Sequence, residues 1–149
     1  MLPKTAEYAL RAAVWLARDP RKSLSANHLA EVTRIPRRYL NKVLQDLVRG
    51  RIVRSQPGPG GGYALDRSPE DVAILDVVNA VEPIGRIRHC PLGIPSHTSL
   101  CPLHRELDEA FAAVEAAFAR VTLAQIVNQP GPIVALCEVS LAGASQAES

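Results

Sequence analysis

The stretch from Ile35 to Tyr63 limits what this chain can fold into more than any other. Pro36 lacks a backbone donor and disfavours helix at Ile35, so a helix can start only after it. Leu40, Val43, Leu44 and Leu47 then recur at i, i+3, i+4 and i+7, which makes one apolar stripe of an α-helix. The opposite face carries Arg37, Arg38, Asn41, Lys42, Gln45 and Arg49. Gly50 is placed to end this helix in a left-handed conformation. A short β-prone run follows, Ile52-Val53-Arg54, then a glycine-rich turn and a second run, Tyr63-Ala64-Leu65. A basic helix followed by a small hairpin outlines a winged helix-turn-helix. In that design the helix enters the major groove of DNA and the hairpin lies along the backbone or minor groove.

The residues before Ile35 supply the remaining helices. The spacing of Ala9, Ala12, Ala13 and Leu16 predicts a first helix over residues 5–18, broken at Asp19-Pro20. Ser25 can cap a second helix over Ala26–Thr33 that buries Leu29 and Ala30. A tight turn at Arg34-Ile35-Pro36 then leads into the third. The expected fold class is mainly α with a small β wing.

An amphipathic core helix beside an ordinary hairpin would show the same apolar pattern, and charge separates the two readings. Residues 1–66 hold twelve Lys/Arg against five Asp/Glu, a surplus of seven positive charges. Residues 67–149 hold five against ten, so the overall +2 hides a basic half and an acidic half. A basic half suits a polyanion, because each neutralised phosphate releases counterions. Gly58-Pro59-Gly60-Gly61-Gly62 lacks the Gly-Lys-Ser/Thr ending of a nucleotide loop. Its glycines read as positive-φ positions at the wing tip whose N–H groups can approach phosphates. With no run of about 18 apolar residues and no apolar signal-peptide centre, the expected location is the cytoplasm, with no membrane partner. An odd count of three cysteines argues for metal or redox chemistry over a disulfide scaffold.

The cysteine-bearing stretch is a loop by composition. Residues 86–101 are rich in Pro, Gly and Ser and contain Cys90, Cys101, His89 and His97, with His104 just inside the next helix. Cys101 and His104 are one helical turn apart, so both can face one metal. Three readings stay open: an iron–sulfur cluster, a metal-free loop with two ordinary thiols, and a tetrahedral zinc site. Mixed thiolate and nitrogen ligation favours a two-iron cluster (2Fe-2S). Cys137, in an apolar run, reads as a packed small residue, and His28 and His89 as surface or capping residues.

After this loop comes the longest expected helix, about Pro102 to Arg120. Leu107, Phe111, Val114, Phe118 and Val121 step by 4, 3, 4 and 3, the seam of a helix–helix interface. A small winged helix offers little surface to cover so long a stripe, so an antiparallel homodimer is expected. Thr122 can cap a short last helix over Leu123–Val127, and Leu141–Ser149 reads as a disordered tail. The expected organisation is a winged helix-turn-helix over 1–83, a cluster-binding loop over 84–101, a dimerisation helix with its cap helix over 102–128, and a tail over 129–149.

Tyr8-Ala9-Leu10-Arg11, Tyr39-Leu40 and, most specifically, Gly58-Pro59-Gly60-Gly61-Gly62-Tyr63 resemble the Rrf-two family of bacterial winged-helix transcription regulators. The resemblance covers about residues 1–128. Cluster-binding members of that family carry three cysteines in the loop. Cys90 and Cys101 match the first and last, while Pro95 or Ser96 stands where the middle one would be. His104 matches a cluster-ligating histidine, and Glu7 matches a carboxylate contributed from the other subunit. The resemblance thus implies a cluster on Cys90, Cys101, His104 and Glu7, with His97 in reserve.

The resulting expectation is a homodimeric, sequence-specific regulator on a pseudo-palindromic site in double-stranded DNA, sensing redox, nitric oxide or iron–sulfur status. The alternative is a metal-free regulator controlled by thiol oxidation or a partner protein. Arg37, Arg38 and Asn41 are the candidates for base contacts. Tyr39, Lys42, Arg54 and the backbone of Gly60 and Gly61 are the candidates for phosphate contacts. No substrate pocket or acid–base pair suggests an enzyme.

Overall fold

The computed structural model describes residues 2–137; the expected tail over Leu141–Ser149 lies outside them. Helix α1 spans Lys4–Ala17, α2 Ala26–Thr33 and α3 Arg37–Arg49. Strands β1 (Val53–Gln56) and β2 (Gly62–Leu65) pair antiparallel, with Val53 opposite Leu65 and Gln56 opposite Gly62. A 3-10 turn at Pro69–Asp71 precedes α4 (Ile74–Val81). Beyond a long irregular stretch lie α5 (Pro102–Ala119) and α6 (Leu123–Val127). No helix among the described residues is long and apolar enough to cross a membrane.

The core forms where the apolar stripes meet. Leu40, Val43, Leu44 and Leu47 are all essentially fully buried, and so are Ala9, Ala12, Ala13 and Leu16 of α1. Burying each such leucine contributes roughly 1.5–3 kcal/mol relative to exposure. The alanines let α1 lie close against α3, α4 and α6, so α1 is the central helix. Helix α6 is short, yet Leu123 is fully buried in the same core. Its start is fixed by a reciprocal cap: Gln125 N–H donates to Thr122 Oγ1 (3.2 Å) and Thr122 N–H to Gln125 Oε1 (2.9 Å). Ser25 caps α2 as expected, accepting from His28 N–H at 3.1 Å.

The end of α3 departs from expectation. Gly50 has φ −77°, and Arg51 takes the left-handed conformation instead, at φ 58°. Ile52 N–H then bonds Leu47 C=O and Arg51 N–H bonds Val48 C=O, both at 3.0 Å, a Schellman closure shifted by one residue. Gly50 is needed for space: a Cβ there would meet Ala80 Cβ at 3.0 Å, so it is the point where α4 crosses the end of α3.

The wing is anchored to the turn before α2. Leu24 and Tyr63 exchange two backbone hydrogen bonds of 2.8 Å, and Ser23 donates to the Gln56 side chain. Helix α5 contrasts with the rest, since none of its residues is buried. Leu103, Leu107 and Phe111 are exposed, whereas Val114 and Phe118 are half-buried. Phe111, Val114 and Phe118 line an open apolar groove with Leu2, Val78 and Ile84.

Candidate nucleic-acid interface and cysteine loop

Helix α3 presents Arg37, Arg38, Tyr39, Asn41 and Lys42 on one exposed face. The fold gives these side chains neighbours that spacing alone does not reveal. Arg37 Nε donates to Asn27 Oδ1 of α2 at 3.0 Å, and its terminal N–H to Asn41 Oδ1. The Arg38 guanidinium stacks over the Tyr39 ring at 4.7 Å. The Tyr39 ring meets Tyr8 of α1, centroids 5.8 Å apart and 38° inclined, and Arg11 stacks over Tyr8 at 5.5 Å. Two packed rings flanked by two arginines thus run from α1 to α3.

Lys42 and Arg49 both pair with Asp46, at 2.9 and 3.1 Å. Asp46 is buried, while Lys42 stays 70% exposed and available to a phosphate. Sequence reading missed Asn27, Asp46 and Tyr8 as partners. Asp46 was the findable one, standing four residues after Lys42 and three before Arg49 on a helix.

The wing glycines divide in two. Gly58 (φ 90°) and Gly60 (φ 72°) have open space around them. Gly61 and Gly62 are closed in: added Cβ atoms would lie 2.2 Å from Gln56 O and 2.3 Å from Leu24 O. Gly61 N–H, a candidate phosphate donor by sequence, already donates to Gly58 C=O at 3.0 Å. Its glycine serves the chain's own close approach. Arg54 is exposed on β1 beside the hairpin.

The cysteine loop is held at its stem. Arg86 Nε and its terminal N–H donate to the two Asp108 oxygens at 2.8 Å each, and Ile87 N–H donates to Asp108 Oδ1 at 2.8 Å. The Arg86 guanidinium and the Ile87 N–H hold the Asp108 carboxyl down to about 2. Beyond the stem the backbone makes two turns, Gly93 N–H to Cys90 C=O and His97 N–H to Ile94 C=O, both 3.0 Å. Backbone N–H groups of Ile94, and then Leu92 and Gly93, lower the Cys90 thiol pKa despite some desolvation.

Cys101 is the N-cap of α5, and its Sγ lies 3.3 Å from His104 Nδ1, so these two candidate ligands stand together. Cys90 is half-buried earlier in the loop. Glu7 is on α1 and pairs with Arg11 at 3.1 Å. Among the described residues no three His, Cys, Asp or Glu side chains converge as a metal site. The donor chemistry fits an iron–sulfur cluster, with two thiols and imidazole nitrogen in one loop. Of these, Cys101 and His104 stand together. His97 Nδ1 is buried with no hydrogen-bond partner among the described residues. Cys137 is half-buried and accepts from the Arg18 guanidinium, which also donates to Ala135 C=O, so it faces a cation where an apolar environment was expected.

Residues 2–129 match the model of the Rrf2 family, described as an iron-dependent transcriptional regulator. An rrf2-like HTH-type transcriptional regulator of Rhodobacter capsulatus is 32% identical over 85% of each chain. An HTH-type transcriptional regulator of Aquifex aeolicus is 28% identical over 83% of this chain and 89% of its own. Among solved structures, CymR (YrzC), the global cysteine regulator of B. subtilis, superposes with a TM-score of 0.72 at 22% identity, over 88% of this chain and 98% of that one. IscR of T. potens superposes with a TM-score of 0.69 at 21% identity, over 83% of each chain. These two share the fold: mostly helical, with one small antiparallel sheet. By its family match and its winged helix-turn-helix, the chain belongs to the Rrf2 family of DNA-binding transcriptional regulators.

Proposed function

We propose that the protein is a homodimeric regulator whose affinity for a pseudo-palindromic operator is set by an iron–sulfur cluster in its cysteine loop. The observation that carries this reading is the Cys101–His104 pair, 3.3 Å apart at the start of α5, in a loop clamped to that helix by Arg86 and Asp108. A bound cluster supplies a centre whose charge and occupancy respond to redox state, and nitrogen ligation raises its potential. Cys90, Cys101 and His104 would hold it, with Glu7 of the partner subunit as the ligand implied from across the dimer.

The exposed apolar stripe of α5 supports pairing with a second copy. Leu107 and Phe111 are 41% and 39% exposed on a helix of which no residue is fully buried by the described residues. Pairing by a two-fold sets two α3 helices toward successive major grooves, about 34–36 Å apart. Arg37, Arg38 and Asn41 then meet base edges, while Tyr39, Lys42, Arg54 and Gly60 meet phosphates. Glu7 and Arg11 share α1 with Tyr8, so a shift of α1 at the loop moves the platform under Tyr39. The cluster changes operator affinity only as far as it stabilises one arrangement of the two winged helices over the other.

The test measures operator binding by fluorescence anisotropy, anaerobically, for cluster-loaded and iron-free protein. A difference that disappears in both Glu7→Ala and His104→Ala supports the switch; equal affinities in the loaded and iron-free wild type overturn it. Phe111→Glu should turn the dimer into monomer in light scattering at micromolar concentration, and an unchanged mass would sink the α5 interface.

One observation favours a second reading, a metal-free thiol regulator. The three cysteines are free, and among the described residues no three donors converge. A relative in fold is named as a cysteine regulator. A colourless protein free of iron, purified without oxygen, that loses DNA affinity on oxidation of Cys90 or Cys101 would establish that reading.

A further inference from the structure

We infer that the cleft between α3 and the wing, lined by Gln45, Arg49, Ser55 and Tyr63, holds one backbone phosphate of the bound duplex. This rests on α3 being the DNA-facing helix and adds a contact that the spacing of basic residues does not reveal. The cleft has a volume of about 410 Å³, with Val48 as its apolar lining residue. Strand register decides which wing residues enter it. Side chains alternate between the two faces of a strand, and directly paired residues share a face. Val53 and Leu65 are paired and both buried in the core. Two positions toward the wing tip, Ser55 and Tyr63 are paired on that same face and border α3. Arg54 is paired with Ala64 on the opposite face and does not line the cleft.

The helix supplies the charge. Arg38, Lys42, Gln45 and Arg49 step by 4, 3 and 4 along α3, one ridge that runs from the base-reading end toward the wing. Arg49 gives one N–H to buried Asp46 at 3.1 Å and stays 76% exposed. The Asp46 carboxylate is matched by Lys42 and Arg49 and does not line the cleft. The lining therefore offers one guanidinium, one amide and two hydroxyls with no acid among them, a donor set for an anion. The hairpin is fixed independently of α3, through the two 2.8 Å backbone bonds between Tyr63 and Leu24, so the cleft stays open to a ligand. A phosphate seated between helix and hairpin sets how α3 lies in the major groove without itself reading sequence.

The experiment uses the full chain, purified without oxygen, and a labelled duplex enriched from a random-sequence DNA pool by binding to it. A methylphosphonate, which lacks the anionic oxygen, replaces each backbone phosphate in turn, and affinity is read by anisotropy. Ser55→Ala and Tyr63→Phe each remove one hydroxyl and leave Asp46 with its partners; Tyr63→Phe also keeps the packed ring. Each should weaken binding of the unmodified duplex roughly tenfold, the order expected for a hydrogen bond to a charged group. Neither should alter sequence preference or the salt slope, because no charge is lost. At one phosphate of each half-site the methylphosphonate should weaken the wild type by a similar factor, and there alone the two variants should cost nothing further. Arg54→Ala should stay additive with the methylphosphonate at that position. Losses that add at every phosphate, wild-type affinity in both hydroxyl variants, or an altered sequence preference in Ser55→Ala overturn the cleft assignment. The DNA-facing role of α3 stands in those cases if Arg37→Ala and Lys42→Ala still weaken binding. A chain that enriches no duplex, iron-free or cluster-loaded, removes that role and this contact with it.

Discussion

The Tyr8 ring of α1 lies 5.8 Å from the Tyr39 ring of α3, and each ring carries an arginine, Arg11 on one and Arg38 on the other. Helix α1 also bears Glu7, one turn before Arg11 and paired to it at 3.1 Å. Helix α3 therefore rests, through two rings, on the helix that carries Glu7.

That contact predicts the effect of Tyr8→Leu. The substitution keeps apolar bulk but removes the ring pairing and the cation stack, together roughly 1–2 kcal/mol. The melting temperature should fall by several degrees, and operator affinity should fall as well, because Tyr39 and Arg38 lose the ring that supports them. Wild-type affinity in an anisotropy titration would show that Tyr39 and Arg38 are positioned without Tyr8.

Arg37 and Lys42 should fail in different ways. Arg37 is pre-oriented by Asn27 and Asn41 and aimed outward, so Arg37→Ala should cost about 1–3 kcal/mol and relax sequence preference. Lys42→Ala should weaken binding to all sequences and reduce the slope of log K against log salt by about 1. Identical salt slopes and specificity for the two variants would contradict this division of labour.

The glycines should sort by space. Gly61→Ala and Gly62→Ala drive a Cβ to within 2.2 and 2.3 Å of backbone oxygens, so both should disrupt the wing and lower thermal stability sharply. Gly60→Ala has room and should cost only the strain of φ 72°, roughly 1–2 kcal/mol. Thermal unfolding ranks the three, and Gly60→Ala proving the worst would refute the reading.

Acid should loosen the loop stem in a defined window. The Asp108 pKa lies at about 2 in the fold, below the ordinary carboxylate value of roughly 4. A depressed folded pKa means that its stabilisation is complete above about pH 4 and is lost as pH falls through about 2. Amide protection within residues 88–100, taken relative to the intrinsic exchange rate at each pH, should therefore fall as pH drops through that range in the wild type. Asp108→Asn should show faster opening already at pH 7, and its opening should not change further between pH 4 and 2 through this group.

The sequence alone determined the order helix, helix, turn, helix, hairpin. Each of those elements is written in local terms: the 3, 4, 7 spacing of Leu40 to Leu47, Ser25 as cap, Pro36 as boundary, glycines at the hairpin. Local rules sufficed because these elements follow from nearest neighbours along the chain. The family followed from motif residues in the same stretch. Tertiary structure decided what proximity across the chain creates. It moved the left-handed residue from Gly50 to Arg51 and set Gly50 against Ala80, where an added Cβ would lie 3.0 Å from the Ala80 Cβ. It closed Gly61 against Gln56 and buried Leu123 in the winged-helix core. It brought Arg86 to Asp108 across 22 residues, and brought Cys101 and His104 together while leaving Cys90 and Glu7 apart from them. Spacing fixes which side chains share a helical turn; loop closure and packing between distant elements fix which of the others can meet.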